Sequence, residues 1–215
     1  FENRPAQADA RAALELPLKG RVLAILPGSR LGEIERLGEI FVLAALQCAN
    51  AISGLKLIAP MADSDCAKAF DAILARHRVR GQILTVEGRA HEALWAADVV
   101  LTASGTAALE AGLAETPMVV AHRIHSLSYR IVRLFGLLKS KHVSLPNILL
   151  NQSVVPELLQ DDCTVEKITD ALLALFRDEA RMEAMQTQLS TLLPLDGGGG
   201  ADAAAEAVAD LLPKR

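Results

Sequence analysis

The alternation of short apolar runs with helical segments is the feature that most limits how this chain folds. Runs of strand length occupy residues 22–26, 55–60, 82–86, 98–102 and 117–121. Between them lie segments in which apolar residues recur every three to four positions, as in helices that bury one face: 32–51, 65–77, 90–97 and 106–114. Repeated strand-helix units with short loops predict an α/β fold, a doubly wound parallel sheet with its site at the carboxyl ends of the strands.

Outside this alternation the pattern is helical. A short helical segment at 10–16 precedes the first strand. After the fifth strand we predict a loop at 144–147 and helices at 126–138, 164–177, 178–192 and 201–212. A glycine run at 197–200 separates the last helix from the rest. We therefore predict a Rossmann-like domain over 1–195, followed over 196–215 by a hinge and a C-terminal helix.

Composition and charge narrow the function classes. With 51% hydrophobic and 22% charged residues and a formal net charge of −4, the chain suits a globular domain and not a non-specific nucleic-acid binder. Cys48, Cys66 and Cys163 show no metal-binding spacing and predict buried thiols in a reducing cytoplasm. No apolar run approaches the ~18 residues of a membrane span. Since the chain begins at Phe1, we expect a processed product or part of a longer protein.

The first strand ends in a turn, Pro27-Gly28-Ser29-Arg30, that leads into a helix. Gly28 permits close backbone approach, Ser29 offers a hydroxyl, and Arg30 offers a planar fork of donors suited to phosphate oxygens. These residue types are typical of a turn that binds a diphosphate. The alternative is an ordinary strand-to-helix turn with a surface arginine, and this stretch by itself leaves both interpretations open.

A second strand-to-helix turn, within 102–110, consists of small residues. It places the backbone N–H groups of Ser104, Gly105 and Thr106 at a helix N-terminus, where unpaired donors and the helix dipole favour a phosphate. Glu110 follows about one turn later, where its carboxylate can accept hydrogen bonds from ribose hydroxyls. The alternative is a small-residue helix start with an exposed glutamate.

Other nucleotide and metal patterns are absent from the sequence. Neither G-x-G-x-x-G nor G-x-x-x-x-G-K-[ST] occurs, and the stretch around Ser104 lacks the first glycine of a nucleophile elbow. Asp63-Ser64-Asp65 precedes a helix, so we predict that it caps the helix and does not bind a metal. His122 and His125 have no acidic partner nearby in the sequence and are assigned no role.

Charge is distributed unevenly along the chain. No acidic residue lies between Glu115 and Glu157, whereas five basic residues do: Arg123, Arg130, Arg133, Lys139 and Lys141. With apolar residues interleaved, this basic segment (123–141) suits anionic lipid headgroups or a phosphorylated substrate. A core helix whose basic face is simply solvated is the alternative.

Four stretches together resemble the C-terminal half of the lipid-A-disaccharide synthases, a family of bacterial glycosyltransferases with the two-domain GT-B architecture. They are Leu26-Pro27-Gly28-Ser29-Arg30 with Gly32-Glu33-Ile34, Thr102-Ala103-Ser104-Gly105-Thr106 through Leu109-Glu110, Thr116-Pro117-Met118-Val119-Val120 with Arg123, and Val143-Ser144-Leu145-Pro146-Asn147. The resemblance extends from about Arg4 to the end of the chain. The order and spacing of the stretches make it specific.

The resemblance implies that this half binds the UDP of UDP-2,3-diacylglucosamine. The family transfers that sugar to 2,3-diacylglucosamine 1-phosphate by an inverting mechanism, giving the β-1,6-linked lipid A disaccharide and UDP. The implied contacts are Gly28, Ser29 and Arg30 on the diphosphate, Ser104, Gly105 and Thr106 as its seat, Glu110 on the ribose and Asn147 lining the same cleft. Arg30 would also stabilise the leaving group. No metal or cofactor is implied, and the general base is expected on the N-terminal half.

The resemblance also implies partners and a location. These are a UDP-sugar lipid donor, a phosphorylated monosaccharide lipid acceptor, the missing N-terminal domain, and the anionic surface of the inner membrane, with no nucleic acid. In the family the terminal helices cross to the N-terminal half, in some members that of a partner subunit, so a homodimer is among the expected assemblies. We expect a cytoplasmic, peripheral membrane protein whose chain alone binds nucleotide without turnover.

Two alternatives stay open at this point. One is another GT-B enzyme that uses a UDP-amino sugar, such as a peptidoglycan glycosyltransferase or a sugar-nucleotide 2-epimerase. The other is a non-catalytic UDP-binding module.

Overall fold

Six parallel strands form the central sheet of the computed structural model, which describes residues 4–103, 105–123 and 142–192. The strands are β1 (Val22–Leu26), β2 (Lys56–Met61), β3 (Ile83–Glu87), β4 (Val99–Thr102), β5 (Met118–His122) and β6 (Glu157–Leu159). Their order is β3-β2-β1-β4-β5-β6, and every neighbouring pair is parallel. The strand order reverses between β1 and β4, which is where α/β folds open a ligand crevice.

Helices flank the sheet and connect its strands. They are α1 (Gln7–Ala13), α2 (Leu31–Ala51), α3 (Ser64–Arg76), α4 (Ala90–Ala96), α5 (Thr106–Leu113), α6 (Leu145–Leu150), α7 (Val165–Arg177) and α8 (Glu179–Leu189). Helix α2 packs against α3 and α7, whereas α1 packs against α4 and α5 against α6. Right-handed crossovers in opposite directions from β1 place these groups on opposite faces of the sheet.

The central strands are apolar because helices cover both of their faces. All five residues of β1 are buried, and Leu23, Ala24 and Ile25 are completely so. In the register of the sheet Leu23 lies beside Val99 of β4, and Ala24 lies beside Val100. A strand buried on both sides shows a continuous apolar run instead of an alternation, which is the pattern in the sequence.

An ion pair between buried Arg11 and partly buried Asp98 lies at the amino ends of the strands, away from the switch-point crevice. Arg11 Nη2 of α1 lies 2.9 Å from Asp98 Oδ2, and Arg11 Nε donates to the carbonyl oxygen of Ala96 at 2.9 Å. Asp98 Oδ2 also accepts the backbone N–H of Val22 at 2.6 Å. Because both charges are paired and hydrogen-bonded, their burial is compensated. This end of the sheet is therefore structural.

The structure confirms the doubly wound parallel sheet and the five predicted strands, and differs at three places. The helix predicted at 10–16 lies at Gln7–Ala13, because Glu15 adopts a left-handed conformation, φ +56°, that ends the helix before it. The predicted loop at 144–147 is the start of α6, since Ser144 precedes the helix and Pro146 is tolerated in its first turn. Strand β6 was not predicted because it is a three-residue edge strand whose residues are only half-buried. The predicted helices at 126–138 and 201–212, and the unit at 196–215, lie outside the described residues.

Candidate functional site

A cavity of about 390 Å³ opens at the carboxyl ends of the strands on either side of the switch point. Its floor includes Leu26 at the end of β1, Met61 at the end of β2 and Ala103 after β4. The turns that begin α2 and α5 supply the walls. Both predicted turns therefore face one cavity, as expected for neighbouring parallel strands whose ends meet at one edge of a sheet.

The turn before α2 presents a cation at the mouth of this cavity. Arg30 is the residue immediately before α2, and its side chain is 85% exposed. Its Nη1 lies 3.8 Å from Oε1 of Glu33, a long contact that leaves most of the guanidinium in solvent. Gly28 and Ser29 line the same cavity, as the sequence predicts. A guanidinium here can donate two parallel hydrogen bonds to phosphate oxygens.

The turn before α5 presents backbone donors. Gly105 directly precedes the helix in a conformation, φ +133° and ψ −153°, that is essentially restricted to glycine. Among the residues that the structure describes, no side chain caps this helix, and its first turn holds no acidic residue. Thr106 lines the cavity, while Ser104 lies outside the described residues. The uncapped N–H groups and the helix dipole suit an anion.

Glu110 lies one turn further along α5 and lines the same cavity. Its Oε2 is 3.8 Å from Nε2 of His91 on α4, and its side chain is 37% exposed. The carboxylate is therefore accessible to a ligand and lies away from the positive end of the helix. This separation suits an acceptor of hydroxyl hydrogen bonds better than a phosphate ligand.

Asn147 does not line this cavity, which corrects the prediction that it shares the cleft. The residue is 1% exposed, and its Oδ1 accepts the backbone N–H groups of Val154 and Val155 at 2.8 and 2.9 Å. Its Nδ2 donates to Oε1 of Glu157 and to the carbonyl oxygen of Val155, both at 2.9 Å. Buried polar groups are retained when they are fully paired. Asn147 therefore ties α6 to the segment before β6.

Two other predictions about polar residues concern α3 and the basic segment. Asp63 caps α3, since its Oδ1 accepts the N–H groups of Asp65 and Cys66 at 3.0 and 2.8 Å, which confirms the predicted cap.

Of the basic segment the structure describes only Arg123, whose Nη2 donates to the carbonyl oxygen of Cys163 at 2.8 Å. The described residues contain no group of three or more potential metal ligands.

The three cysteines are free and buried, as predicted. Burial raises the pKa of Cys48 to about 12 and also raises the pKa of Cys66 and Cys163, so all three remain protonated thiols near neutral pH. Cys66 contacts the turn before α2, since its Sγ lies 3.7 Å from the carbonyl oxygen of Ser29. None of the three has the lowered pKa of a reactive cysteine.

Sequence reasoning missed one residue that shapes the site. Glu33 lines the cavity, and its Oε2 accepts the backbone N–H of Ser29 at 2.9 Å. A glutamate at the third helical position that reaches back to the preceding turn resembles a capping box, but Glu33 accepts the N–H of Ser29, one residue before the cap, and not that of the cap residue. The position of Glu33 four residues after Ser29 is the sequence feature that could have indicated this contact. It is easily overlooked because the usual Ser, Thr, Asp or Asn is replaced at the cap by Arg30.

The strand order and the cavity at its switch point define the class, a Rossmann-like α/β domain with a doubly wound parallel sheet. WaaG, a glycosyltransferase involved in lipopolysaccharide biosynthesis, superposes with a TM-score of 0.64 at 18% identity, covering 96% of this chain and 52% of WaaG. Anabaena HepE, solved with UDP and glucose, superposes with a TM-score of 0.59 at 15% identity, covering 86% of this chain and 46% of HepE.

Sequence similarity then identifies the family. The family model described as lipid-A-disaccharide synthetase matches residues 1–207, and the chain belongs to the lipid-A-disaccharide synthase family. The enzyme of Xanthomonas campestris pv. campestris (strain 8004) is 44% identical over 215 residues, covering 97% of this chain and 49% of the relative. That of Xylella fastidiosa (strain M23) is 42% identical over 212 residues, covering 97% and 54%. The chain spans about half the length of these curated relatives.

Proposed function

We propose that this chain is the donor-binding half of a lipid-A-disaccharide synthase and that it binds the UDP of UDP-2,3-diacylglucosamine in the switch-point cavity. One observation carries the proposal: the exposed guanidinium of Arg30 and the start of α5, which no side chain among the described residues caps, line the same cavity. Helix N-termini and arginine side chains each bind phosphate groups, and the cavity offers one of each to a diphosphate. Glu110, further along α5, is placed to accept hydrogen bonds from the ribose.

The proposed chemistry is transfer of the donor sugar to a hydroxyl of 2,3-diacylglucosamine 1-phosphate with inversion. As the bond from the sugar to the diphosphate breaks, negative charge develops on the departing UDP. Arg30 and the N–H groups at the start of α5 would stabilise that charge, since fixed donors act most strongly on charge that grows in the transition state. The proton of the attacking hydroxyl passes to a general base, which we assign to the N-terminal half.

Calorimetric titration of UDP tests the binding proposal. We expect Arg30→Ala to weaken UDP binding about ten- to hundredfold, the range of one charge-assisted contact. Arg36→Ala is the matched control, because Arg36 is an exposed arginine on the same helix that lies outside the cavity lining. The control should bind UDP within about twofold of the parent chain. Equal weakening by both variants would reduce the effect to general electrostatics and contradict a specific contact.

An assay with both lipid substrates tests the division of labour between the halves. We expect the chain alone to bind UDP without turnover and to form the disaccharide when the N-terminal half is supplied. UDP-N-acetylglucosamine in place of the diacylated donor tests the alternative donors. Turnover by the isolated chain would contradict the assignment of the base, whereas UDP binding that never leads to transfer would favour a non-catalytic module.

We further propose peripheral association with an anionic membrane surface, supported by the charge asymmetry of the sequence. No helix in the part of the chain that the structure describes is long and apolar enough to cross a bilayer. Basic residues near an anionic surface each contribute about 1 kcal/mol of attraction. Reversing the charges of Arg130 and Arg133 should therefore abolish binding to anionic liposomes and leave UDP affinity unchanged. Unaltered liposome binding would remove this part of the proposal.

A further inference from the structure

The turn before α2 is held by a carboxylate of its own chain. Glu33 occupies the third position of the helix, and its Oε2 accepts the N–H of Ser29 at 2.9 Å. Its side chain is 24% exposed, so the carboxylate lies mostly within the turn. A negative charge at this end of a helix is stabilised by the helix dipole. The N–H of Ser29 already has an acceptor inside the protein, although the turn faces the cavity.

Gly28 leaves the space that Glu33 occupies. A Cβ atom built on Gly28 would overlap both Cβ and Oε2 of Glu33. The backbone of Gly28 also has φ +136°, a conformation that residues with side chains rarely adopt. The glycine and the glutamate are therefore complementary, because the turn brings the backbone of one against the side chain of the other.

Cys66 holds the other side of the same peptide. Its Sγ lies 3.7 Å from the carbonyl oxygen of Ser29, at the reach of a thiol donor. Burial and a hydrogen bond to the Asp63 carboxylate raise the pKa of Cys66, so the thiol keeps its proton, for which Asp63 and the Ser29 carbonyl are both acceptors. Both polar backbone groups of Ser29 consequently have partners within the protein, Glu33 for the N–H and Cys66 for the C=O.

Resting on the proposed function, we propose that Glu33 is a positioning residue that fixes the Ser29 turn and thereby directs Arg30 toward the diphosphate. Glu33 Oε1 lies 3.8 Å from Arg30 Nη1. At this distance the carboxylate favours one orientation of the guanidinium without neutralising the charge of its exposed face. In this arrangement the nucleotide contacts the Arg30 side chain and not the Ser29 N–H. The opposite role, a carboxylate that merely competes with the ligand for the turn, predicts the opposite sign of effect.

UDP calorimetry on five versions of the chain distinguishes these roles: the parent, Glu33→Ala, Glu33→Gln, Arg30→Ala and the double variant. We expect Glu33→Ala to weaken UDP binding about five- to tenfold, and Glu33→Gln to recover most of the loss because its amide oxygen still accepts the Ser29 N–H. In the Arg30→Ala background, Glu33→Ala should change affinity by less than about twofold, since its effect passes through Arg30. Glu35→Ala, an exposed glutamate on the same helix, is the matched control.

Thermal unfolding of each variant separates loss of folding from loss of positioning. Equal or tighter UDP binding by folded Glu33→Ala would overturn the inference and indicate a competing carboxylate. Full additivity of the two substitutions, or failure of Glu33→Gln to recover binding, would overturn it as well. If the folded parent chain does not bind UDP, the proposed function on which the inference rests is wrong. This result comes from the titration of the parent chain and does not depend on any variant.

Discussion

Two helix starts face the same cavity, and they differ in how the turns that precede them are packed. At α2 the Glu33 carboxylate accepts the N–H of Ser29, and the turn has no room for a side chain on Gly28. Among the described residues no side-chain hydrogen bond caps either helix, but a Cβ on Gly105 before α5 would meet nothing within 4 Å. We therefore call the start of α2 closed, because Glu33 fills the turn before it, and the start of α5 open, because the space beside Gly105 is empty among the described residues.

The difference separates two ways of binding an anion. At the closed start of α2 the turn is bonded to Glu33 and offers the side chain of Arg30, whose guanidinium extends into solvent. The open start of α5 offers backbone N–H groups and the helix dipole directly. A diphosphate can engage both at once, one phosphate with each. We therefore expect substitutions at α2 to act through turn geometry and those at α5 to act through contact with the ligand.

Alanine at the two glycines gives the largest expected effect and tests the contrast directly. Gly28→Ala should lower the free energy of unfolding by about 3 to 5 kcal/mol, since backbone strain adds to the overlap with Glu33. Gly105→Ala should cost about 1 to 3 kcal/mol, because only the backbone conformation is unfavourable there. Urea unfolding measures both values. Equal losses would show that crowding does not distinguish the two turns.

Asn147 is a buried polar residue outside the cavity, and its side-chain hydrogen bonds are made within the protein. It therefore allows a comparison between the site and a purely structural polar group. Asn147→Ala should destabilise the chain by about 2 to 4 kcal/mol, because it leaves the buried N–H groups of Val154 and Val155 without acceptors. UDP affinity of the folded variant should stay within about twofold of the parent. Urea unfolding and calorimetry measure the two quantities.

Asn50→Ala is the control for this prediction, since Asn50 is exposed in α2 and the same substitution there should change stability by no more than about 0.5 kcal/mol. A large loss of UDP affinity in folded Asn147→Ala would contradict the purely structural role and support a link between α6 and the site.

Asn147 and Glu33 also show how far sequence reasoning reaches. The sheet was predictable because strands buried on both faces and amphipathic helices leave distinct periodic patterns. The turn residues were predictable because each follows a strand directly, and parallel strand ends meet at one edge. Asn147 was misplaced because a polar side chain has the same appearance in a sequence whether it faces a ligand or a buried backbone. Its partners, Val154 and Val155, are assigned only by tertiary structure.

A smaller effect concerns the ribose contact proposed for Glu110. The parent chain should prefer UDP to 2′-deoxyuridine 5′-diphosphate by about fivefold, and Glu110→Ala should lose that preference through weaker UDP binding. Calorimetry with both nucleotides measures the preference, and Glu35→Ala should retain it. If Glu110→Ala weakens both nucleotides equally, the carboxylate acts on the open start of α5 as a whole and not on a ribose hydroxyl.

The smallest effect is the titration of His122, which senses charge at the start of α2. Burial lowers the pKa of His122 below its ordinary value of 6.5, the Glu33 carboxylate partly opposes this shift, and Arg36 adds to it. Glu33→Gln should therefore lower the pKa further and Arg36→Ala should raise it, as followed by NMR of the imidazole, with Glu35→Gln as the control.

The lowered pKa of His122 also determines how the free energy of unfolding changes with pH. The unfolded chain binds the proton more readily than the folded chain, so the contribution of His122 is complete above about pH 6.5 and declines as the pH falls toward its folded pKa. His122→Phe should reduce this decline, as measured by urea unfolding across that range. If Glu33→Gln leaves the pKa of His122 unchanged, the Glu33 carboxylate does not lie near the imidazole in solution. That result would contradict the description of the start of α2 as closed. A response confined to Glu33 and Arg36 would support it.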